Sequence, residues 1–277
     1  VTDESAGPEE PAERDRRGIQ SVEVGGQLLR ALVHQGRPMA LKDLAREAGM
    51  APAKAHPYLV SFGKLGLIEQ DPSSGRYGLG PLALQLGLIS LQQADPVRVA
   101  TPLLPELAQR IGHTVALGIW GTYGPTIVQV EEAPTAVRVN MRHGTVMSLT
   151  DTASGRLFAA FLPRAQVRAA FDEEQAREQR LASSPSRPRP RWVDFEATLE
   201  GVRRQGYGHT VDELVPGVSA MAAPVFKHSG DIVMSVTAIG PTALFDVHPE
   251  GALARALVAC AGEVSQRLGA LPSARSA

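Results

Sequence analysis

The sequence predicts an α+β protein in two parts: a small helical domain with a two-stranded hairpin, joined by a linker helix to a larger mixed domain with a mostly antiparallel sheet. Three observations carry this. Residues 19–80 hold three short segments with apolar side chains at helical spacing, then a strand, a turn and a second strand. Residues 81–95, PLALQLGLISLQQAD, read as one apolar helix. Beyond them, blocks of β-type strings alternate with blocks of helical pattern. With 277 residues, 43% of them hydrophobic and 21% charged, the chain is long enough to bury two cores.

Residues 1–18 carry three Arg and six Asp/Glu with almost no large apolar side chain, and are read as a flexible tail. The first helix is expected to start at Ser21 as N-cap, with Val24, Leu28, Ala31 and Leu32 on one face. Gly25 and Gly26 inside it cost roughly 1 kcal/mol each against Ala, so tertiary packing must hold it. Leu41, Leu44, Ala45 and Ala48 mark a second helix, closed by Gly49 in a left-handed cap. A third begins with Pro52 and packs through Tyr58, Leu59 and Phe62. LIEQ, DPSSG and RYGL then form strand, turn and strand. Three helices and a hairpin make the order of a winged helix-turn-helix over 19–80, which lays its third helix in the major groove of DNA.

The helix over 81–95 has Leu82, Leu86 and Ile89 on one side and Leu84, Leu88 and Leu91 on another. It needs more than one neighbour, either within the chain or in the same helix of a second chain. Asp95 and Pro96 cap the next helix, which Pro102 and Pro105 kink or divide. TVALGIW, a GTYG turn and TIVQVEEA form a hairpin, and VRVNMR reads as a third strand. Helices follow at 152–162 and 164–180, a Pro/Ser/Arg loop at 182–191, and a helix at 193–205. Strands around 220–226 and 232–239 precede a closing helix over 248–268. The larger domain thus spans 96–270, with a short tail at 271–277.

Charge and motif content narrow the function. Net charge is −1, which argues against a general nucleic-acid coat protein, but residues 19–80 carry seven Lys/Arg against five Asp/Glu. No apolar run reaches the ~18 residues of a membrane span, no secretory signal is visible, and the single Cys260 fits a reducing cytoplasm. Walker A, G-x-G-x-x-G, HExxH and paired CxxC patterns are absent, so neither enzyme chemistry nor a cofactor is expected. Cys260, in ALVACAG, reads as a structural thiol, and Asp212-Glu213 as surface charges. His113, His143, His209, His228 and His248 show no metal-ligand spacing, and a zinc site assembled by the fold stays open at this stage.

LKDLAREAGMAPAKAHPYLVSFGKLGLIEQDPSSGRYGLG resembles the winged helix of the IclR family of bacterial transcription regulators. MRHGTVMSLTDTASGRLFAAFL resembles the family's segment entering the helix behind its effector pocket. GYGHTVDELVPGVSAMAAPVF resembles its C-terminal signature through Gly206, Glu213, Ala220, Met221, Ala222, Val225 and Phe226, and SVTAIGP its last strand and turn. The likeness covers roughly residues 19–270. It implies a GAF-like effector domain, a double-stranded DNA operator, a small-molecule effector and self-association as dimer or tetramer, with no membrane partner. Three positions depart from the family pattern: Thr210 replaces an acidic residue or Ser, Lys227 an Asp or Asn, and Pro57 an Arg of the recognition helix. A proline there removes a backbone donor and costs ~3 kcal/mol or more in a helix interior, so the helix is expected to be short, kinked or unusual in its DNA reading.

The DNA contacts expected are Lys54 and His56 early in the third helix, Ser61 and Lys64 toward phosphate, and Arg76 after the hairpin turn, where a solubilising charge is an equal reading. The cluster Arg187, Arg189 and Arg191 reads as a solvated loop. For the effector, the resemblance implies Ala136, Val139, Met147, Ala153, Ser154, Gly155, Thr210, Ala220, Thr237 and Ile239. The amides of Ala153, Ser154 and Gly155 open a helix and suit a carboxylate. The few polar side chains in this set point to an apolar or aromatic effector body. The rival reading is an enzyme or small-molecule carrier whose winged helix, degenerate at Pro57, serves protein interaction.

Overall fold

The computed structural model describes residues 18–133, 139, 141–181 and 190–271. Packing divides the chain after Gln93 into two compact units.

In the first unit, α1 (Gln20–Gln35), α2 (Leu41–Glu47) and α3 (Pro52–Leu65) surround Leu28, Leu32, Leu44, Ala55 and Leu59. Ser21 is not the N-cap of α1. The N-cap lies two residues earlier, at extended Ile19, whose carbonyl takes the Val22 and Glu23 amides, so backbone closes the first turn without a side-chain cap. Gly25 is buried where α1 meets α3: a Cβ there would lie 2.9 Å from the Tyr58 ring and 3.1 Å from that of Phe62. The glycine that weakens the helix therefore permits the close crossing that holds it. Gly49 has φ 66° after α2, the left-handed conformation expected of it. α3 runs unbroken through Pro57, so the recognition helix is not cut short. Strands β1 (Ile68–Gln70) and β2 (Tyr77–Leu79) form the antiparallel hairpin, and Met39 exchanges two backbone hydrogen bonds with Tyr77 at 2.8 and 2.9 Å. Helix α4 (Pro81–Gln93) follows and buries no residue within the chain.

The second unit opens with α5 (Pro96–Ala100), whose Asp95 cap accepts from the Val97 and Arg98 amides. A 3-10 turn at Thr101–Leu103 separates it from α6 (Leu104–Ile111), the division expected of Pro102 and Pro105. Strands β3 (Thr114–Gly121), β4 (Gly124–Glu131), β5 (Gly208–Val211), β6 (Val218–Phe226) and β7 (Ile232–Pro241) make one antiparallel sheet in the order β4-β3-β7-β6-β5. Alternation sends Val115, Leu117, Met221, Ala223, Met234 and Val236 to a core with α6 and α10 (Ala252–Arg267). The opposite face packs on α7 (Ala153–Phe161), backed by α8 (Arg164–Leu181) and α9 (Trp192–Gln205) through Phe158, Phe171 and Phe195.

Three expectations change. β5 was not anticipated from the sequence. α10 begins four residues later than expected, after a turn in which Asp246 accepts from the His248 amide and His248 from that of Glu250. The VRVNMR strand lies largely outside the described residues, and its described part, 139 and 141–142, is not a strand. Arg187 and Arg189 also lie outside them. Among the described residues no helix is long and apolar enough to cross a membrane. Nor does any group of three or more His, Cys, Asp or Glu come together there as a metal site.

Candidate functional site

Helix α3 owes its first turn to Pro52 and its anchoring to buried Ala55 and Leu59. That anchoring turns Ala53, Lys54, His56, Pro57, Val60, Ser61 and Lys64 outward. Pro57 has no N–H, so the Ala53 carbonyl lacks its helical donor. One turn on, the Ser61 hydroxyl donates to the Pro57 carbonyl at 3.0 Å, which commits its proton to the helix rather than to phosphate. His56 lines a groove of about 290 Å³ with Val60, Gly63, Glu69, Gln70 and Tyr77, between the helix and the hairpin.

The hairpin tip is organised by one carboxylate. Asp71 accepts from the Ser73 amide and hydroxyl at 2.8 and 2.7 Å and from the Ser74 hydroxyl at 2.7 Å. These bonds to its charged form hold its pKa down at about 2. Arg76 is exposed at the end of this turn, its carbonyl taking the Asp71 amide at 2.9 Å. The cation expected to meet the DNA backbone thus closes the turn that the Asp71 carboxylate organises.

In the second unit the resemblance-based positions assemble from register. Thr210 pairs with Ala220, Ala220 with Ile239, and Ile239 with Thr114. The neighbouring row is Gly208, Ala222, Thr237 and Ala116. Both rows face α7: a Cβ on Gly208 would lie 2.6 Å from the Ala153 carbonyl, and Ser154 shares a 2.7 Å hydroxyl hydrogen bond with Thr237. Thr237 reaches Ser235 at 3.4 Å, and Ser235 reaches the Gly118 carbonyl at 3.5 Å. Met147 is held by its amide on the Pro125 carbonyl at 2.7 Å and lays its methyl over Gly118. Val139 is partly buried, and Ala136 lies outside the described residues.

The α7 N-terminus differs from expectation. The Thr152 side chain caps Gly155, accepting its amide at 3.0 Å, so this amide is already satisfied. No acceptor among the described residues reaches the Ala153 or Ser154 amide. Gly155 is required for space: a Cβ would sit 2.2 Å from the Ser148 carbonyl and 2.6 Å from that of Leu149.

Glu174 and Arg156, not singled out from the sequence, support this corner. Buried Glu174 on α8 accepts from the Leu149 amide at 2.7 Å and the Ser148 hydroxyl at 2.9 Å, fixing the strip that leads into α7. Arg156 donates to the Thr150 carbonyl at 2.8 Å and to both carboxylate oxygens of Glu213, which is therefore a partner of α7 rather than a stray surface charge. Asp212, at φ 56°, accepts from the Gly217 amide and the Thr242 hydroxyl, each at 2.7 Å. Both carboxylates brace the β5–β6 connection. Thr114 and Ser235 add hydroxyls to the sheet face; only strand register brings them there. Burial pushes the His209 pKa down, with Arg156 adding to the effect and Glu213 opposing it. Burial also raises the Cys260 thiol to about 11, the state of an inert structural cysteine.

Comparison with known proteins matches both units. Residues 21–72 fit the model of the IclR helix-turn-helix domain, and residues 89–266 that of the bacterial transcriptional regulator IclR C-terminal domain. The chain is 33% identical over 259 residues to the glycerol operon regulatory protein of Streptomyces coelicolor, covering 92% of this chain and 98% of that one. Its likeness to the protein of the same name from Streptomyces griseus is also 33%, over 258 residues. The crystal structure of Pseudomonas aeruginosa HmgR superposes with a TM-score of 0.82 at 35% identity, covering 91% of this chain and 99% of that one. The chain belongs to the IclR family of bacterial transcriptional regulators, with a DNA-binding helix-turn-helix domain followed by an effector-binding domain.

Proposed function

We propose that this regulator acts in the cytoplasm as a self-associated pair or tetramer, and that a small carboxylate with an apolar or aromatic body sets its operator affinity. The observation that carries the DNA half is the unbroken, outward-facing α3. It supports reading the winged helix as a DNA reader rather than as a degenerate interaction module, and so favours the regulator over the rival enzyme or carrier reading. Lys54, Lys64 and Arg76 meet phosphates, while His56 stands at the groove side of the hairpin. The effector lies against Ala220, Ile239, Met147 and Val139, with Thr210, Ser154 and Thr237 beside it and its carboxylate at the Ala153 and Ser154 amides. Effector binding favours one arrangement of the assembly, and only a difference in affinity between arrangements regulates anything.

The test is selection of duplexes from a random pool by the full chain, followed by titration calorimetry with benzoate, phenylacetate, pyruvate and glycerol. Glycerol belongs in the panel because two relatives are named for a glycerol operon. An enriched, symmetric motif whose affinity changes with benzoate or phenylacetate is expected. No enriched motif overturns the DNA reading; response to pyruvate or glycerol alone overturns the effector reading. Two chains each placing three cations on phosphate give a slope of log K against log salt of about −5, and Lys64→Ala reduces it by about 2.

A further inference from the structure

The outermost stripe of the recognition helix carries almost no hydrogen-bonding side chain. Ala53, Pro57, Val60 and Lys64 are spaced at i, i+4, i+7 and i+11, which places them on one face across three turns. They lie opposite the anchors Ala55 and Leu59, and all four are exposed, Val60 to 44%. Three of the four are apolar. Of the side chains able to pair with base edges or phosphates, Lys64 ends the stripe while Lys54, His56 and Ser61 lie off it, and the Ser61 proton is already used by the Pro57 carbonyl. Arg, Asn and Gln, which read guanine and adenine through paired hydrogen bonds, do not occur in α3, and its two Lys, which can also pair with guanine, stand at the edges of the stripe rather than at its centre. Among base edges in the major groove, the thymine 5-methyl is the group that an apolar side chain contacts favourably.

We infer that Pro57 and Val60 are specificity-determining residues that read thymine methyl groups in each half-site, in place of guanine or adenine hydrogen-bond readout. This rests on the DNA-binding reading above and deepens it. The cations at the edge of the stripe support this occupant: Lys64 ends the stripe itself and Lys54 stands one residue from its start, so the apolar centre is held between two groups suited to phosphate. The pyrrolidine ring of Pro57 is rigid and gives apolar contact without side-chain entropy cost. Its presence, which weakens the helix ladder, then has a function on the surface it faces.

The experiment uses the full chain and the duplex it enriches from a random pool. Each thymine is replaced singly by deoxyuridine, which removes one methyl and leaves base pairing intact, and affinity is read by fluorescence anisotropy. The same series is run with Val60→Ala and Pro57→Ala, both at exposed positions whose replacement empties no core. At least one thymine per half-site is expected to lose about fourfold in affinity on losing its methyl. That loss should vanish in Val60→Ala or Pro57→Ala, the signature of a direct pairwise contact. An enriched motif in which every deoxyuridine replacement stays within twofold overturns methyl reading while leaving the regulator intact. So does a loss that persists unchanged in both variants. Failure to enrich any motif overturns both readings together.

Discussion

Ser154 and Thr237 are joined by a buried 2.7 Å hydrogen bond, and this pair separates a structural role from a ligand-binding one. Replacing either alone, as Ser154→Ala or Thr237→Val, leaves a buried hydroxyl short of a partner and is expected to cost about 1–3 kcal/mol in urea unfolding. The double variant removes both groups and should recover most of that loss. If the two hydroxyls serve only packing, the double variant keeps its effector response; if they contact the effector, its response stays lost while its stability returns. Gly155 offers no such recovery. Its missing Cβ is replaced by two carbonyl oxygens, so Gly155→Ala must move the strip before α7, at a cost of about 3 kcal/mol, near the top of the range for overpacked sites. Glu174 holds the same strip from α8. Glu174→Gln keeps one acceptor and should be milder than Glu174→Ala, with both read as shifts in the urea midpoint.

Helix α4 has no buried side chain in the single chain, although Leu84 is 65% exposed and Leu86, Leu88, Ile89 and Leu91 between 45% and 53%. A 13-residue helix this apolar is unstable in water by itself, since short isolated helices are marginal. The expected consequence is association through this helix. Leu88→Glu with Leu91→Glu should lower the mass found by light scattering toward that of one chain and weaken operator binding far more than binding to random duplex. An unchanged mass would place self-association elsewhere.

Elements also show how far the sequence could be read. The three helices and hairpin of the first unit declare themselves because their signals are local: apolar spacing, Pro52 at a helix start, Gly49 at a helix end, DPSSG at a turn. β5 escaped because four residues, GHTV, offer too little alternation, and because the strand exists only by pairing with β6. Thr114 and Ser235 escaped for a related reason. Their side chains reach the sheet face turned to α7 through β3–β7 register, a pairing across more than a hundred residues. The family resemblance supplied Thr210, Ser154 and Thr237 without that register. It supplied neither Glu174 nor the Thr152 cap, which depend on how one helix happens to meet one loop.

At the scale of the whole molecule, stability against pH depends on two histidines of the larger unit. Burial lowers the His113 pKa, against a hydrogen bond at the Leu244 backbone that raises it, and burial likewise lowers that of His209. A depressed folded value means that the native state holds fewer protons than the unfolded chain as pH falls. Stability contributed by the neutral imidazoles is therefore present above the ordinary value of about 6.5 and is lost below it, toward the folded values. The paired carboxylates act in a separate window. Asp71, at about 2, and Asp194 and Glu196, both lowered by hydrogen bonds from Arg partners, lose their contribution only on more acid titration. Between pH 6.5 and 5 the histidines thus dominate, with a ceiling of about 1.4 kcal/mol per pH unit for each. Urea midpoints of the larger unit, followed by the fluorescence of Trp120 and Trp192, should fall across that interval while the first unit, which contains neither tryptophan, changes less. Replacing both histidines with Gln should flatten the fall. A slope that survives the replacement would assign the acid sensitivity to other groups.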